Sequence, residues 1–294
     1  MSLGVLNNLS ATYAENALNN TNNSLQTVLQ QLSTGSQINS GADDPAGLSL
    51  VNGLQANQTA LTQSETNATE GVGLLQVADG ALSQVTSLLN RAVTLATEAS
   101  NGTLNSSQAT AADAEYQSIL GEISNIGATT TYNQVAVFGG TTQIYTGDSS
   151  TVGASTDTLN LAALSDASVG TATEGVTYAT GAFTSTNTAG IDLSATDLTS
   201  TTNASTALTD LNTAISDVSL QDGYVGSQIN TLNSISSVES TQQENIQSAQ
   251  NAVQATDYAA ATTNLSKYEI LSQTGISALA QANSVQQEVT KLLQ

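Results

Sequence analysis

A single proline, Pro45, stands among the 294 residues. Proline inside a helix removes a backbone donor and clashes with the preceding turn, so nothing in this chain forbids very long helices on either side of residue 45. Apolar spacing calls for such helices at both ends. Within residues 5–32, Leu18, Leu25, Val28 and Leu32 repeat on a seven-residue period among Asn, Gln and Thr. That is a narrow seam of the coiled-coil type. Asp43-Asp44-Pro45 reads as a helix start, with Asp44 capping free amides and Pro45 at the first helical position. Downstream, Leu74, Ala78, Ala81, Val85, Leu88, Ala92, Leu95 and Ala99 step by fours and threes, and Leu75, Leu82, Leu89 and Ala96 widen the stripe to a core face. Asn101-Gly102 ends this helix, because glycine takes the left-handed C′ conformation without strain. A shorter helix follows, with Ala112, Tyr116, Ile119, Ile123 and Ile126 on one face.

The period then changes. Gln134–Phe138 and Gln143–Tyr145 read as short strands of a hairpin about Gly139-Gly140. From 141 to 206 roughly two-fifths of the residues are Ser or Thr, which predicts loops and short strands on a surface. Helical spacing returns at Leu208, Leu211, Ile215, Val218, Val225, Ile229 and Leu232, slips in phase near 235–246, and continues through Ile246, Ala249 and Val253. The last helix carries Tyr268, Leu271, Ala278, Ala282, Val285, Val289 and Leu292, with Gln273, Ser277, Gln281, Ser284 and Gln287 on its other face. The fold class is therefore mainly α: long antiparallel, coiled-coil helices from both termini and a small β-rich middle at their far end.

Charge and residue types exclude whole classes of function. Acidic residues number 24 and basic residues three, Arg91, Lys267 and Lys291, for a net charge of −21. Nucleic-acid binding and attachment to anionic membranes both need clustered cations. With no Cys and no His, thiol catalysis, Ser-His-Asp triads and ordinary zinc sites are gone, and no metal or cofactor is expected. Asp43 and Asp44 are read as caps in preference to a cation site or acid/base pair, and Gly71-Val-Gly73 as a kink or a point of close packing in preference to a phosphate loop. Sequons such as those at Asn57 and Asn101 arise by chance in this composition, and the Ser/Thr-rich middle is a candidate for O-glycosylation. The first residues lack the basic and apolar regions of a cleaved signal, and no run of about 18 apolar residues is present. The cytoplasm is the default location unless export uses an uncleaved signal. Because few ion pairs exist to be lost on protonation, tolerance of acid is expected.

The terminal segments are too apolar for linkers and too narrowly striped to fold alone. An isolated helix of that length is marginal in water, and ordering costs about 1–2 kcal/mol per residue in backbone entropy. Disorder in a lone chain and helix against neighbouring copies is the expectation for a polymer subunit, or for a partner-binding tail.

Three stretches carry a resemblance. Gln31-Leu-Ser-Thr-Gly-Ser-Gln-Ile-Asn-Ser-Gly-Ala-Asp-Asp-Pro-Ala-Gly-Leu48 closely resembles the N-terminal signature of bacterial flagellin, and Ala280-Gln-Ala-Asn-Ser-Val-Gln-Gln-Glu-Val-Thr-Lys-Leu-Leu-Gln294 resembles its C-terminus. Asn90-Arg-Ala-Val-Thr-Leu-Ala-Thr-Glu-Ala-Ser-Asn-Gly102 is similar to the flagellin helix that ends in Asn-Gly. The likeness spans roughly 1–140 and 205–294. It implies an inner terminal coiled coil, D0, at 1–42 and 255–294; a helical D1 with a β-hairpin at 43–140 and 206–254; and a short variable region at 141–205. Leu18, Leu25, Val28, Leu32, Leu271, Val285, Val289 and Leu292 would form the polymerisation seam, and Asp43, Asp44 and Pro45 the D0–D1 junction. It further implies a homopolymeric helical filament used for swimming, extracellular location, and export without a cleaved signal peptide. The implied partners are flagellar cap and hook-associated proteins, a cytoplasmic export chaperone and the flagellar export apparatus.

Two departures accompany the likeness. Gln31 and Gln37 stand where flagellins usually carry Arg, which puts contacts made by those cations in question. Arg91 and Leu95, with Glu115 on the next helix, match residues through which flagellins meet the animal innate receptor, but Val93 and Thr94 replace a second Arg and a Glu, implying a weak response. Without His, the metallopeptidase insert of some flagellins is excluded, and no enzymatic role is expected. The rival readings are a hook–filament junction protein and a secreted adhesive or binding module with helical tails.

Overall fold

The computed structural model describes residues 8–147, 156–179 and 182–292. In chain order these form α1 (Leu9–Thr34), α2 (Pro45–Ser100), α3 (Ser106–Thr129), β1 (Thr131–Tyr132), β2 (Val135–Ala136), β3 (Thr141–Tyr145), β4 (Thr156–Asn160), β5 (Val169–Ala179), β6 (Ala182–Ile191), α4 (Thr201–Gln254) and α5 (Tyr258–Leu292). The mainly helical class expected from the sequence is what forms. The chain divides into two compact units, residues 1–56 with 246–294 and residues 57–245. The division falls inside α2 and α4, whereas the boundaries drawn from the sequence lie at 42/43 and 254/255.

Helix ends follow local chemistry. Asn8 caps α1 by accepting from Ala11 N–H at 3.0 Å, and Gly35, at φ 72°, closes it with an N–H donated to Gln31 O. Asp44 accepts from Ala46 N–H at 3.0 Å and Pro45 opens α2. Gly102, at φ 69°, follows the end of α2 as the Asn-Gly pair predicts. A reciprocal capping box between Asn105 and Gln108 starts α3.

In the unit of residues 57–245 the deepest line on α2 is Leu61, Ser64, Ala68, Gly71, Leu75, Ala78, Leu82, Val85, Leu89, Ala92, Ala96 and Ala99. It is an unbroken alternation of threes and fours. Ala81 and Leu88, assigned to the main stripe by the sequence reading, lie half-buried at its edge. The matching line on α4 is Ala204, Ala207, Leu211, Ala214, Val218, Gln221, Val225, Gln228 and Leu232, and the phase slip after 235 leaves α4 unbroken. Ser64 bonds to Glu239, and further along α2 Gly71 lies against Leu232, so partners descend α4 as α2 ascends and the two helices run antiparallel. By length and composition alone α2 is apolar enough to cross a membrane, an exception to the expectation that no segment would be. Its apolar residues are instead the core of this unit.

The middle segment corrects two expectations. The predicted hairpin about Gly139-Gly140 does not form. The turn sits earlier, at Asn133 and Gln134, whose positive φ values of 47° and 67° suit a two-residue hairpin joining β1 and β2. Beyond it, β3 pairs with β4 in a sheet of order β3-β4-β6-β5, in which β4 and β6 run parallel and the other pairs antiparallel. Nor is the Ser/Thr-rich segment only a surface. Leu159, Leu161, Leu164, Val169, Leu193 and Leu198 join the helical core. Composition hid them because isolated leucines supply the buried contacts while threonines dominate the count. Two glycines admit this segment. A Cβ on Gly71 would stand 2.1 Å from Ile144 Cδ1, and one on Gly127 would stand 1.8 Å from Leu164 O.

Candidate functional site

Within the unit of residues 1–56 and 246–294, α1 and α5 lie along one another. Asn8 Nδ2 donates to Ala282 O at 3.0 Å, Ser272 Oγ donates to Asn22 Oδ1 at 3.3 Å, and Thr256 Oγ1 donates to Gln31 O at 3.3 Å. Partners climb one helix as they descend the other, so the pair is antiparallel. The sheltered positions on α1 are Ala11, Ala14, Leu18, Thr21, Leu25, Val28 and Leu32; those on α5 are Ala261, Leu265, Tyr268, Ser272, Gly275, Leu279 and Ala282. Both rows step by threes and fours, a heptad seam on each helix. At Gly275 a Cβ would come within 3.2 Å of Leu18 Cδ1. Each helix finds part of its burial in the other.

The seam residues named from the sequence fall into two groups. Leu18, Leu25, Val28 and Leu32 face α5 within the same chain. Leu271 and Val285 are exposed, on a different face of α5 from the sheltered row, at 41% and 44% of their surface. The side chains of Val289 and Leu292 lie outside the described residues. Leu265, Ser272, Gly275 and Leu279 were missed in the sequence, because large apolar residues drew the eye to the neighbouring face; the signal was the regular spacing counted from Ala261. Further apolar side chains are exposed beside the seam: Leu9, Tyr13 and Leu29 on α1, and Ile270 and Ile276 on α5, with Tyr13 at 68% and Ile270 at 64%. Gln273, Ser277, Gln281 and Gln287 are exposed as well, and Ser284 is half-buried.

The loops next to this pair are stitched by amides. Gln37 donates its N–H to Gln254 O at 2.8 Å and its Nε2 to Val253 O at 2.6 Å, satisfying carbonyls at the end of α4. Gln31 Nε2 donates to Gln37 O, and Thr256 N–H to Gly35 O. Neutral Gln31 and Gln37 thus make the local contacts at the two places where an Arg was to be expected. Asp43 accepts from Asn39 N–H, Ser40 N–H and Ser40 Oγ, and these bonds, the backbone ones foremost, hold its carboxyl below the usual carboxylate range.

In the other unit, Arg91 and Glu115 form an ion pair at 2.7 Å, both about half-exposed. Leu95 is only 4% exposed and belongs to the core. Leu95 is turned inward by the same helical period that buries Ala92 and Ala99. Among the described residues no cluster of three or more metal-ligating side chains is found.

Long helices with sheltered heptad seams and apolar side chains left in solvent define a class of protein that packs side by side into polymers. The bacterial flagellin N-terminal helical region matches residues 5–143, and the bacterial flagellin C-terminal helical region matches residues 208–293. The chain is 29% identical over 293 residues to a flagellin of Listeria monocytogenes, covering 97% of this chain and 98% of that one. It is 28% identical over 301 residues to the flagellar filament 33 kDa core protein of Treponema phagedenis, with the same coverage of 97% and 98%. The crystal structure of Bacillus cereus flagellin, 28% identical, superposes with a TM-score of 0.45 over 59% of this chain and 88% of that chain. The chain belongs to the bacterial flagellin family. It is a structural subunit of the extracellular flagellar filament and serves motility. These relatives do not favour the junction-protein or adhesive readings, and the family is a structural one.

Proposed function

We propose that the α1–α5 pair is the part of the subunit that binds neighbouring copies, through Leu271, Val285 and the apolar side chains exposed beside them. The observation that carries this reading is their placement. Within the unit of residues 1–56 and 246–294, the described residues bury only Val28, Ile38, Val51 and Ala261 among hydrophobic side chains, yet expose Leu9, Tyr13, Leu29, Ile270, Leu271, Ile276 and Val285. Removing such side chains from water is favourable by about 25 cal/mol per Å², and a stack of identical subunits offers the surface to do it. A helical array is an open, head-to-tail use of one interface and needs no closure. Gln273, Ser277 and Gln281 would line the side of the pair turned to the export channel, a wall without charge or apolar grip. The carried-over roles of Asp43, Asp44 and Pro45 as the D0–D1 junction, and of Arg91 and Glu115 toward an innate receptor, belong to the same reading. So do export without a cleaved signal and the cap, hook-associated, chaperone and export-apparatus partners.

The test is the substitution of Leu271 and Ile276 by Asp, singly and together. An exposed site accepts a charge, whereas an interface buries it unpaired. The monomer should keep its helical circular dichroism and thermal midpoint, and electron micrographs should show no filaments. Filaments of normal length from the double variant would overturn the assignment.

A further inference from the structure

Two carboxyl side chains of α4 lie buried at the two ends of the β segment made by β3–β6, Glu239 by the end of β3 and Asp217 by the end of β6. Glu239 is 4% exposed. It accepts a hydrogen bond from Ser64 Oγ, and that oxygen accepts from Gly147 N–H at 2.6 Å, just past the end of β3. Asn67 Nδ2 holds the same strand end, donating to Tyr145 O at 3.0 Å. The second oxygen of Glu239 has no hydrogen-bond partner. At the other end, Asp217 accepts from the N–H of Ile191, the last residue of β6, at 3.1 Å. It is buried because β5 reaches the helix backbone: a Cβ on Gly170, at φ +73°, would lie 2.5 Å from Val218 N and 2.6 Å from Asp217 C. Only glycine takes that conformation and that approach at no steric cost.

No cation is placed against either acid among the described residues. Facing Glu239 from α2 is Glu65, of like charge and held by Gln243 at 3.2 Å; Glu244 follows on α4 itself. On the segments about Asp217 the charged groups are Asp192, next to Ile191, and Asp166, whose carbonyl accepts from Leu193 N–H; on α4 they are Asp210 and Asp222. Arg91 is paired with Glu115, and Lys267 and Lys291 belong to α5. An ionised carboxylate in such a place is costly, whereas the neutral acid is not.

We propose that Glu239 and Asp217 form a proton-operated clamp, gripping both ends of the β segment when their carboxyls are neutral and loosening it when they ionise. Burial pushes both groups above the usual carboxylate range. The Ser64 bond opposes this at Glu239 while the Glu65 charge adds to it, and the Ile191 N–H opposes it at Asp217. Asp157 on β4, buried with both oxygens unpartnered, is raised to about 6 by burial and acts in the same direction. An acid whose folded pKa exceeds its unfolded one gives stability that is complete below about pH 4 and is lost as pH rises through the raised value. The β segment of this subunit is therefore held more firmly in mild acid than at neutrality.

Amide hydrogen exchange on the full-length monomer tests the clamp. Protection factors at Gly147 and Ile191, corrected for intrinsic exchange, should fall between about pH 4.5 and about pH 7.5, by roughly tenfold for each unit of raised pKa. Glu239→Gln should flatten the profile at Gly147 alone, and Asp217→Asn the profile at Ile191 alone, since each amide keeps an acceptor and cannot ionise. A wild-type profile that is flat or rises with pH overturns the proposal, whether or not the variants fold. So does a folded amide variant that keeps the wild-type slope at its own site.

Discussion

Residues 57–245 bury leucine and valine along α2 and α4, whereas residues 1–56 with 246–294 repeat the same three-and-four spacing with Ala, Thr, Ser and Gly at many of the sheltered places. In the first unit Leu75, Val85, Leu89, Leu211, Val218 and Leu232 have no exposed surface. In the second, Leu18, Leu25 and Leu32 remain half-buried and only Val28 on α1 is buried. One periodicity thus serves two ends. Filled with large side chains and backed by α3 and the β segment, it makes a domain that holds itself together. Filled with small and polar ones, it brings two helices together and leaves large apolar side chains such as Tyr13 and Ile270 in solvent.

The difference can be broken from either side. Leu89→Ala removes a fully buried side chain from the self-sufficient unit and should lower the stability of the monomer by about 2–5 kcal/mol. Leu25→Ala, at a half-buried place on α1, should lower it by about 1 kcal/mol or less. Urea unfolding of the two monomers, followed by circular dichroism, measures both, and equal losses would show that the terminal pair is as much a core as the other unit. Gly127→Ala should come next, at about 1–3 kcal/mol, because its Cβ meets the backbone oxygen of Leu164 instead of a movable side chain; the thermal midpoint of the monomer reports it. Asp44→Ala removes the cap of α2 and should cost about 1 kcal/mol, seen as greater amide exchange in the first turn. Arg91→Ala breaks an exposed ion pair and should change the unfolding midpoint least, by no more than about 1 kcal/mol. A larger loss there would mean that the half-exposed pair orders α2 against α3.

Much of the architecture was legible because its signals are local. One proline, the cap at Asp44 and the left-handed glycine at 102 set where α2 begins and ends, whatever packs on it. The three-and-four alternation and the two flagellin-like termini named the class of fold and the kind of polymer. Side-chain direction was less legible. A stripe of mixed Leu and Ala can be read one position out of phase, and only the partner helix shows that Leu265, Ser272 and Gly275, not Leu271 and Val285, line the antiparallel pair.

Strand pairing and buried polar groups were settled by tertiary structure alone. The hairpin shifted to Asn133-Gln134 because turn geometry outweighs the presence of two glycines nearby, and β3 took β4 as its partner across residues that no local rule connects. Leu95 and Arg91 are four residues apart on one helix, yet one is core and the other solvent-exposed. Nothing in the sequence marks Glu239, Asp217 and Asp157 as different from the chain's other acids. What separates them is the low-dielectric surroundings assembled from distant segments, and burial of that kind is a property of the packed chain and of no residue within it.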